Sequence, residues 1–277
     1  MKWTLDKQLF AGLGLIVFLF NLTLLVDISW IFEGAETHMA NEVLAADSES
    51  FLSFIYGLFS NGNPLDLSSF RLPSIIALLL GITAILWLTY PLLGKAFLLP
   101  LFLIIINNYA LVFLAKVGTA DAWIFSTQTA ALLCMIRFLK KPHWSFRVGS
   151  YVLILVAIII HPLSSSIIFL VVPGLWYIFH PQGKKMWSLN PWSVVAVSLI
   201  GLYFLNQLHW LVPTQYLGWG NSHFLVFLAC VLLGLLPLLG FTLAGFQASF
   251  KHLRKQEDFS LLFLPWIGIA LLAQSTS

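Results

Sequence analysis

Residues 73–94 read PSIIALLLGITAILWLTYPLLG, 22 consecutive positions without a Lys, Arg, His, Asp or Glu. A helix needs roughly 20 apolar residues to cross the hydrocarbon of a bilayer, so this stretch reads as a transmembrane helix. Runs of the same kind recur at about 10–32, 97–115, 119–139, 148–160, 163–179, 192–208, 223–246 and 259–273. Of the 277 residues, 60% are hydrophobic and 9% are charged, with a mean hydropathy of +0.93. A soluble domain carries about 25% charged residues, so a water-soluble globule is excluded. The expected fold is all-α: a polytopic helical membrane protein of about nine transmembrane helices, residues 1–277 forming one membrane-embedded domain. The runs flanking His161-Pro162 are short, which predicts a tilted or partly re-entrant hairpin. Cys134 and Cys230 stand alone in apolar runs and point to neither a disulfide framework nor a thiolate metal site.

The charges give the chain a direction. Lys2 and Lys7 precede the first run, which is longer than a signal-peptide core and leads into Glu33-Gly34-Ala35, a poor cleavage sequence; it reads as an anchor. With the N-terminus in the cytoplasm, twelve of the fourteen Lys and Arg fall on the cytoplasmic side, and only Arg71 and Lys116 fall outside. The positive-inside rule selects this orientation. The acids run the other way, with eight of eleven external, among them Glu33, Glu36 and Asp121. Polar chemistry is therefore expected on the non-cytoplasmic face of a cell or inner membrane.

The first external loop, residues 33–70, is long for a simple connection. Phe51, Phe54, Ile55, Leu58 and Phe59 follow helical spacing and predict one apolar stripe. Asp47, Ser48 and Ser50 offer caps before it, and Asn61-Gly62-Asn63-Pro64 stops it. Met39, Val43 and Leu44 form a weaker stripe upstream. Two short amphipathic helices lying at the membrane surface, roofing a cavity between the spans, satisfy both patterns.

Several segments in order resemble a known family. Acids close the first span in Phe32-Glu33-Gly34-Ala35-Glu36-Thr37-His38-Met39, and an aromatic surface helix follows from Phe51 to Phe59. Arg71-Leu72-Pro73-Ser74 opens the second span, and Leu114-Ala115-Lys116-Val117-Gly118-Thr119-Ala120-Asp121-Ala122 opens the fourth. This set resembles the lipid-phosphate-sugar glycosyltransferases of the C-type fold, which include protein O-mannosyltransferases and the aminoarabinose transferases of lipid A. The resemblance implies transfer of a sugar from a polyprenyl-phosphate donor to a lipid, glycan or protein acceptor on the external face. It implies Glu36 as general base, with Glu33 as the second match to the acidic motif, and Asp121 as a further acid that positions the acceptor or supports the base. Family members usually continue into further spans and a soluble domain, so the resemblance also implies that this chain, ending at Ser277, is a minimal form, a subunit or a truncated product.

Such a transfer needs a carboxylate to take the acceptor's proton and cations to neutralise the leaving phosphate. Lys116 and Arg71 are the external cations, and His161 adds a third donor; each also has an ordinary reading, snorkelling for the first two and a structural His at a helix–Pro break for the last. Asp27 reads as a solvated interfacial acid, and Asn107 and Asn108 as interhelical hydrogen-bonding groups. A divalent metal on His38, His209 or His223 with Glu36 and Asp121 is the one cofactor the residues admit, although no His-x-x-His spacing is present. The aromatic residues Trp210, Tyr216 and Trp219 read as an interfacial belt. No nucleic-acid partner is expected. Two other functions compete. A transporter or flippase would place polar groups along a midplane path, and a non-catalytic subunit of a larger membrane assembly would need no site at all.

Overall fold

The computed structural model describes residues 40, 41, 43, 44, 51–60, 67–93, 101, 102, 105 and 120–206. Its regular elements are all helices: α1 (Phe51–Ser60), α2 (Leu67–Leu93), α3 (Asp121–Lys140), α4 (Trp144–Ile160), α5 (Pro162–Phe179), α6 (Lys185–Leu189) and α7 (Pro191–Asn206). Among the described residues there is no strand. Three stretches, Ser69–Leu92, Asp121–Lys140 and Lys185–Phe204, are long and apolar enough to cross a membrane. They coincide with the runs read at 73–94, 119–139 and 192–208. The runs at 10–32, 223–246 and 259–273, and nearly all of 97–115, lie outside the described residues. The chain, read above as one membrane domain, forms two compact units, Met1–Ser126 and Thr127–Ser277, with the division falling inside α3.

In the first unit α1 packs on α2. The helix ends at Ser60, where the Asn61-Gly62-Asn63-Pro64 stop was expected. Its buried face, however, is not the predicted stripe. Leu52, Tyr56 and Ser60, at i, i+4 and i+8, are buried, while Phe54, Leu58 and Phe59 are exposed, Leu58 by 61%. The reason is hydroxyl chemistry. In the decapeptide FLSFIYGLFS the less apolar residues Ser53, Tyr56, Gly57 and Ser60 share helical spacing, so its hydroxyls fall on one side, opposite the apolar stripe. Tyr56 carries a group that needs a partner when water is excluded, and α2 supplies it, while Ser60 is satisfied within α1. The Tyr56 and Ser74 hydroxyls share a hydrogen bond of 2.5 Å, and Ser60 Oγ donates to the Tyr56 carbonyl at 2.9 Å. Upstream, Ala40 and Val43 are buried and Leu44 is exposed.

α2 and α3 approach through small residues. Ser126 Oγ donates to the Ala77 carbonyl at 2.8 Å. One turn along, a Cβ on Gly81 would lie 2.6 Å from Ser126 Cβ, closer still to its Oγ, and 3.0 Å from its Cα. Between helices in lipid the attraction comes from this close packing and from interhelical hydrogen bonds, because lipid is as apolar as a leucine side chain. Gly81→Ala is expected to lower stability by about 1–3 kcal/mol through overpacking. Adding Ser126→Gly should recover most of that loss in a denaturation series in mixed micelles, because the colliding side chain is then gone.

The second unit contains α4 to α7, with α4 packed on α5 and α7, and α5 on α6 and α7. α4 and α5, 17 and 18 residues long, are joined through His161 alone. At about 1.5 Å per residue, 17 residues reach about 25 Å, short of a roughly 30 Å hydrocarbon core. At the far end of the pair, Lys185 Nζ donates to the Leu139 carbonyl at 3.0 Å, which ties the end of α3 to the start of α6. Arg137, Lys140, Lys141, Arg147, Lys184 and Lys185 therefore share one end of this unit, opposite His161. Polar groups again turn inward: Gln128, Ser150, Ser164, Ser165 and Ser198 are buried, while Val152, Leu155, Ile178, Val197, Ile200 and Phe204 are exposed. Cys134 is buried and packs beside Gly149 as a small apolar residue.

The turn from α5 to α6 is held by His180. Its backbone N–H caps Trp176 at 2.9 Å, its carbonyl accepts from Gly183 N at 2.8 Å, and its Nδ1 accepts from Gln182 N at 3.1 Å. Asn190 (φ 46°, ψ 58°) then closes α6 in the left-handed region, which Asn tolerates, and Pro191 opens α7.

Candidate functional site

Among the described residues of the first unit, Arg71 and Ser74 lie in the early turns of α2 and Asp121 in the first turn of α3. α1 lies against the first turns of α2, and the Tyr56 and Phe70 rings meet at 5.3 Å with a 51° tilt. Beside Phe70, Arg71 is only 6% exposed, and Ser74, one turn on, is fully buried. Pro73 removes one backbone donor from this turn. Asp121 stands exposed in the first turn of α3, where a carboxylate favours the positive end of the helix dipole; Arg137 and Lys140 complement the other end.

The Ser126–Ala77 hydrogen bond sets the level of the two helices. Asp121 precedes Ser126 by about 7.5 Å of helix rise, and Arg71 precedes Ala77 by about 9 Å. Each of the two charged residues lies toward the N-terminal end of its own helix. A guanidinium held among buried groups acts on anions far more strongly than one in water, since the local dielectric is low.

Of the residues singled out in the sequence, Arg71 and Asp121 belong to the first unit. Arg71 is buried, which is not the snorkelling position of its ordinary reading. Glu33, Glu36 and Lys116 lie outside the described residues, so the convergence of Glu36 with Asp121 falls there too. His161 is in the second unit and its local role is clear. Its backbone N–H donates to the Ala157 carbonyl at 2.9 Å and closes α4. Its Nδ1 accepts from Ser164 N at 3.3 Å and lies 2.9 Å from Ser164 Oγ, which opens α5 with Pro162 at its first position. One residue ends one helix and starts the next. A role toward a phosphate therefore has to go through Nε2. His161→Ala is expected to lower stability by about 1 kcal/mol, while His161→Asn, which keeps a cap acceptor, should recover most of it in the same denaturation assay.

Two groups of side chains escaped the sequence reading. Tyr56 and Ser74 bind the surface helix to the second span; Ser74 sits in the Arg-Leu-Pro-Ser segment already singled out, and a Tyr amid Phe and Leu is the matching signal. Gln128 Nε2 donates to Ser165 Oγ at 3.0 Å and reaches Ser164 Oγ at 3.5 Å, while Ser165 Oγ donates to the Ala157 carbonyl at 2.8 Å. An amide inside an apolar run was the visible cue. These bonds join α3, α4 and α5 and act as interhelical glue. Among the described residues no group of three or more His, Cys, Asp or Glu is arranged to hold a metal; His38, His209 and His223 lie outside them. Comparison of the chain with family profiles, characterised proteins and solved structures finds no match.

Proposed function

We propose that the protein is a membrane glycosyltransferase that moves a sugar from a polyprenyl-phosphate donor to an acceptor on the non-cytoplasmic face, through about nine spans with the N-terminus in the cytoplasm. The acceptor hydroxyl gives its proton to Glu36, or to Glu33 as the second match to the acidic motif, as its oxygen bonds to the anomeric carbon. The bond from that carbon to the phosphate oxygen breaks, and the lipid phosphate departs with the electron pair. Arg71 and Lys116 neutralise the departing phosphate, and Asp121 positions the acceptor. With inversion at carbon, one base suffices and no glycosyl-enzyme intermediate forms. The reaction as written needs no resident cofactor.

One observation carries the reading: Arg71 is a buried arginine near the start of α2, the helix on which α1 packs. A buried cation suits a lipid phosphate, and the outward-facing Phe54, Leu58 and Phe59 suit the bilayer. Deleting the gene and comparing surface-glycan masses tests the function. Loss of one hexose or pentose, restored by the intact gene, is the expected result. Unchanged glycans, with the protein shown to be expressed in the parent cells, reject it.

A further inference from the structure

We infer that the basic end of the second unit holds a site for one anionic glycerophospholipid, formed by Arg147, Tyr151 and a groove between α4 and α7. The inference uses the membrane assignment but not the proposed transfer reaction. It begins with a charge imbalance. From Ala122 to Gln256 the chain has no Asp or Glu, yet residues 122–206 contain six cations, Arg137, Lys140, Lys141, Arg147, Lys184 and Lys185. No carboxylate within that stretch can neutralise them. At a membrane surface the counter-anion at hand is the lipid phosphate, and each Lys or Arg near an anionic leaflet contributes about 1 kcal/mol.

Arg147 is the cation with a shaped setting. Its Nε donates to Tyr151 Oη at 2.9 Å, and the guanidinium carbon stands 5.6 Å from the centre of the Tyr151 ring. The Tyr151 hydroxyl in turn donates to the Leu189 carbonyl at the α6–α7 turn. This arrangement holds the Arg147 stem while its terminal nitrogens stay at the exposed end of α4. Directly beyond Tyr151 lies a groove of about 310 Å³ between α4 and α7, lined by Val152, Leu155, Val194 and Val197, with Ser193 near its polar end. Val152 and Val197 are 54% and 69% exposed, so the groove opens sideways.

The order of groups matches a phospholipid from headgroup to tail. α4 and α7 both start at the basic end, so Arg147 and Ser193 come first and Leu155 and Val197 lie deeper. Phosphate meets guanidinium, and an acyl chain fills the valine- and leucine-lined groove. Trp187, Tyr177 and Trp192, with ring centroids 6.2–6.5 Å apart, mark the same end as interfacial. In the proposed orientation the lipid belongs to the cytoplasmic leaflet.

Native mass spectrometry of the full-length protein, released from micelles containing equal phosphatidylglycerol and phosphatidylcholine, tests the site. The expected result is retention of one phosphatidylglycerol in preference to phosphatidylcholine, with the preference reduced about 5-fold in Arg147→Gln. Val197→Trp, which fills the groove and keeps every cation, should expel the retained lipid. Lys141→Gln removes the same charge from the α3–α4 turn and should leave the preference intact. An undiminished preference in Arg147→Gln, or an equal loss in Lys141→Gln, overturns the site. Displacement of the lipid by soluble glycerol phosphate at equal concentration also overturns it, since the ligand would then be a free phosphate.

Discussion

Asp121→Asn and Glu36→Gln are each expected to reduce sugar transfer by about 10²–10⁴-fold, the range for losing a positioned acid or base. Both substitutions keep the side chain's shape and remove its charge. At Asp121 the structural cost is small, because the residue is exposed at the start of α3 and Asn also suits a helix start. Losing the favourable dipole interaction costs about 0.3–1 kcal/mol, too little to unfold a helix that is otherwise well packed. Each variant is introduced into cells lacking the gene, membrane-embedded protein is quantified, and surface-glycan mass is read. Asp27→Asn serves as the control and should transfer normally. Normal glycans with both Glu36→Gln and Asp121→Asn would reject the catalytic assignment and leave the fold untouched.

Gly183→Ala is expected to give the largest loss of stability, about 2–4 kcal/mol, the range for a substitution that forces the backbone apart. A Cβ there would lie 2.6 Å from the Tyr177 carbonyl oxygen and 2.8 Å from Tyr177 Cα, and closer still to the Trp176 carbonyl oxygen. All three are backbone atoms at the end of α5, so no side-chain rotation relieves the collision. Trp176 is fully buried, which stops the helix end from drifting outward. Moving the turn instead would strain the Gly183 N–H bond to His180 and the Lys185 link to Leu139. Denaturation in mixed micelles should show the loss, and Gly174→Ala, where an added Cβ meets nothing within 4 Å, is the matched control. Equal stability of the two variants would show that the turn is not packed as described.

The two substitutions differ in how far sequence could foresee them. Asp121 stands out because an acid opening an apolar run is visible without a fold. Gly183 lies in a Pro-Gln-Gly turn like many others, and nothing local tells that two carbonyls will close over it. The same divide separates α1's position from its orientation. Its limits followed from apolar spacing and the Asn-Gly-Asn-Pro stop, but the direction of the stripe did not, and its Phe54, Leu58 and Phe59 face outward. Periodicity weighs hydrophobicity alone, whereas the buried face was chosen by the hydroxyl of Tyr56 and the availability of Ser74. Arg71 was legible as a cation at the start of an apolar run and not as a buried one, since burial depends on the packing around it.

By itself the sequence determined that the chain is helical, where several apolar helices run and which segments carry the charge, because length, hydropathy and charge are properties of contiguous residues. Only the tertiary structure decided which face of α1 turns inward, that Arg71 is buried, that His161 joins two helices through one cap, and that Gly81 and Gly183 admit no side chain. Those outcomes depend on atoms brought together from distant parts of the chain, and hydrogen-bond satisfaction and close contact are settled only where such atoms meet.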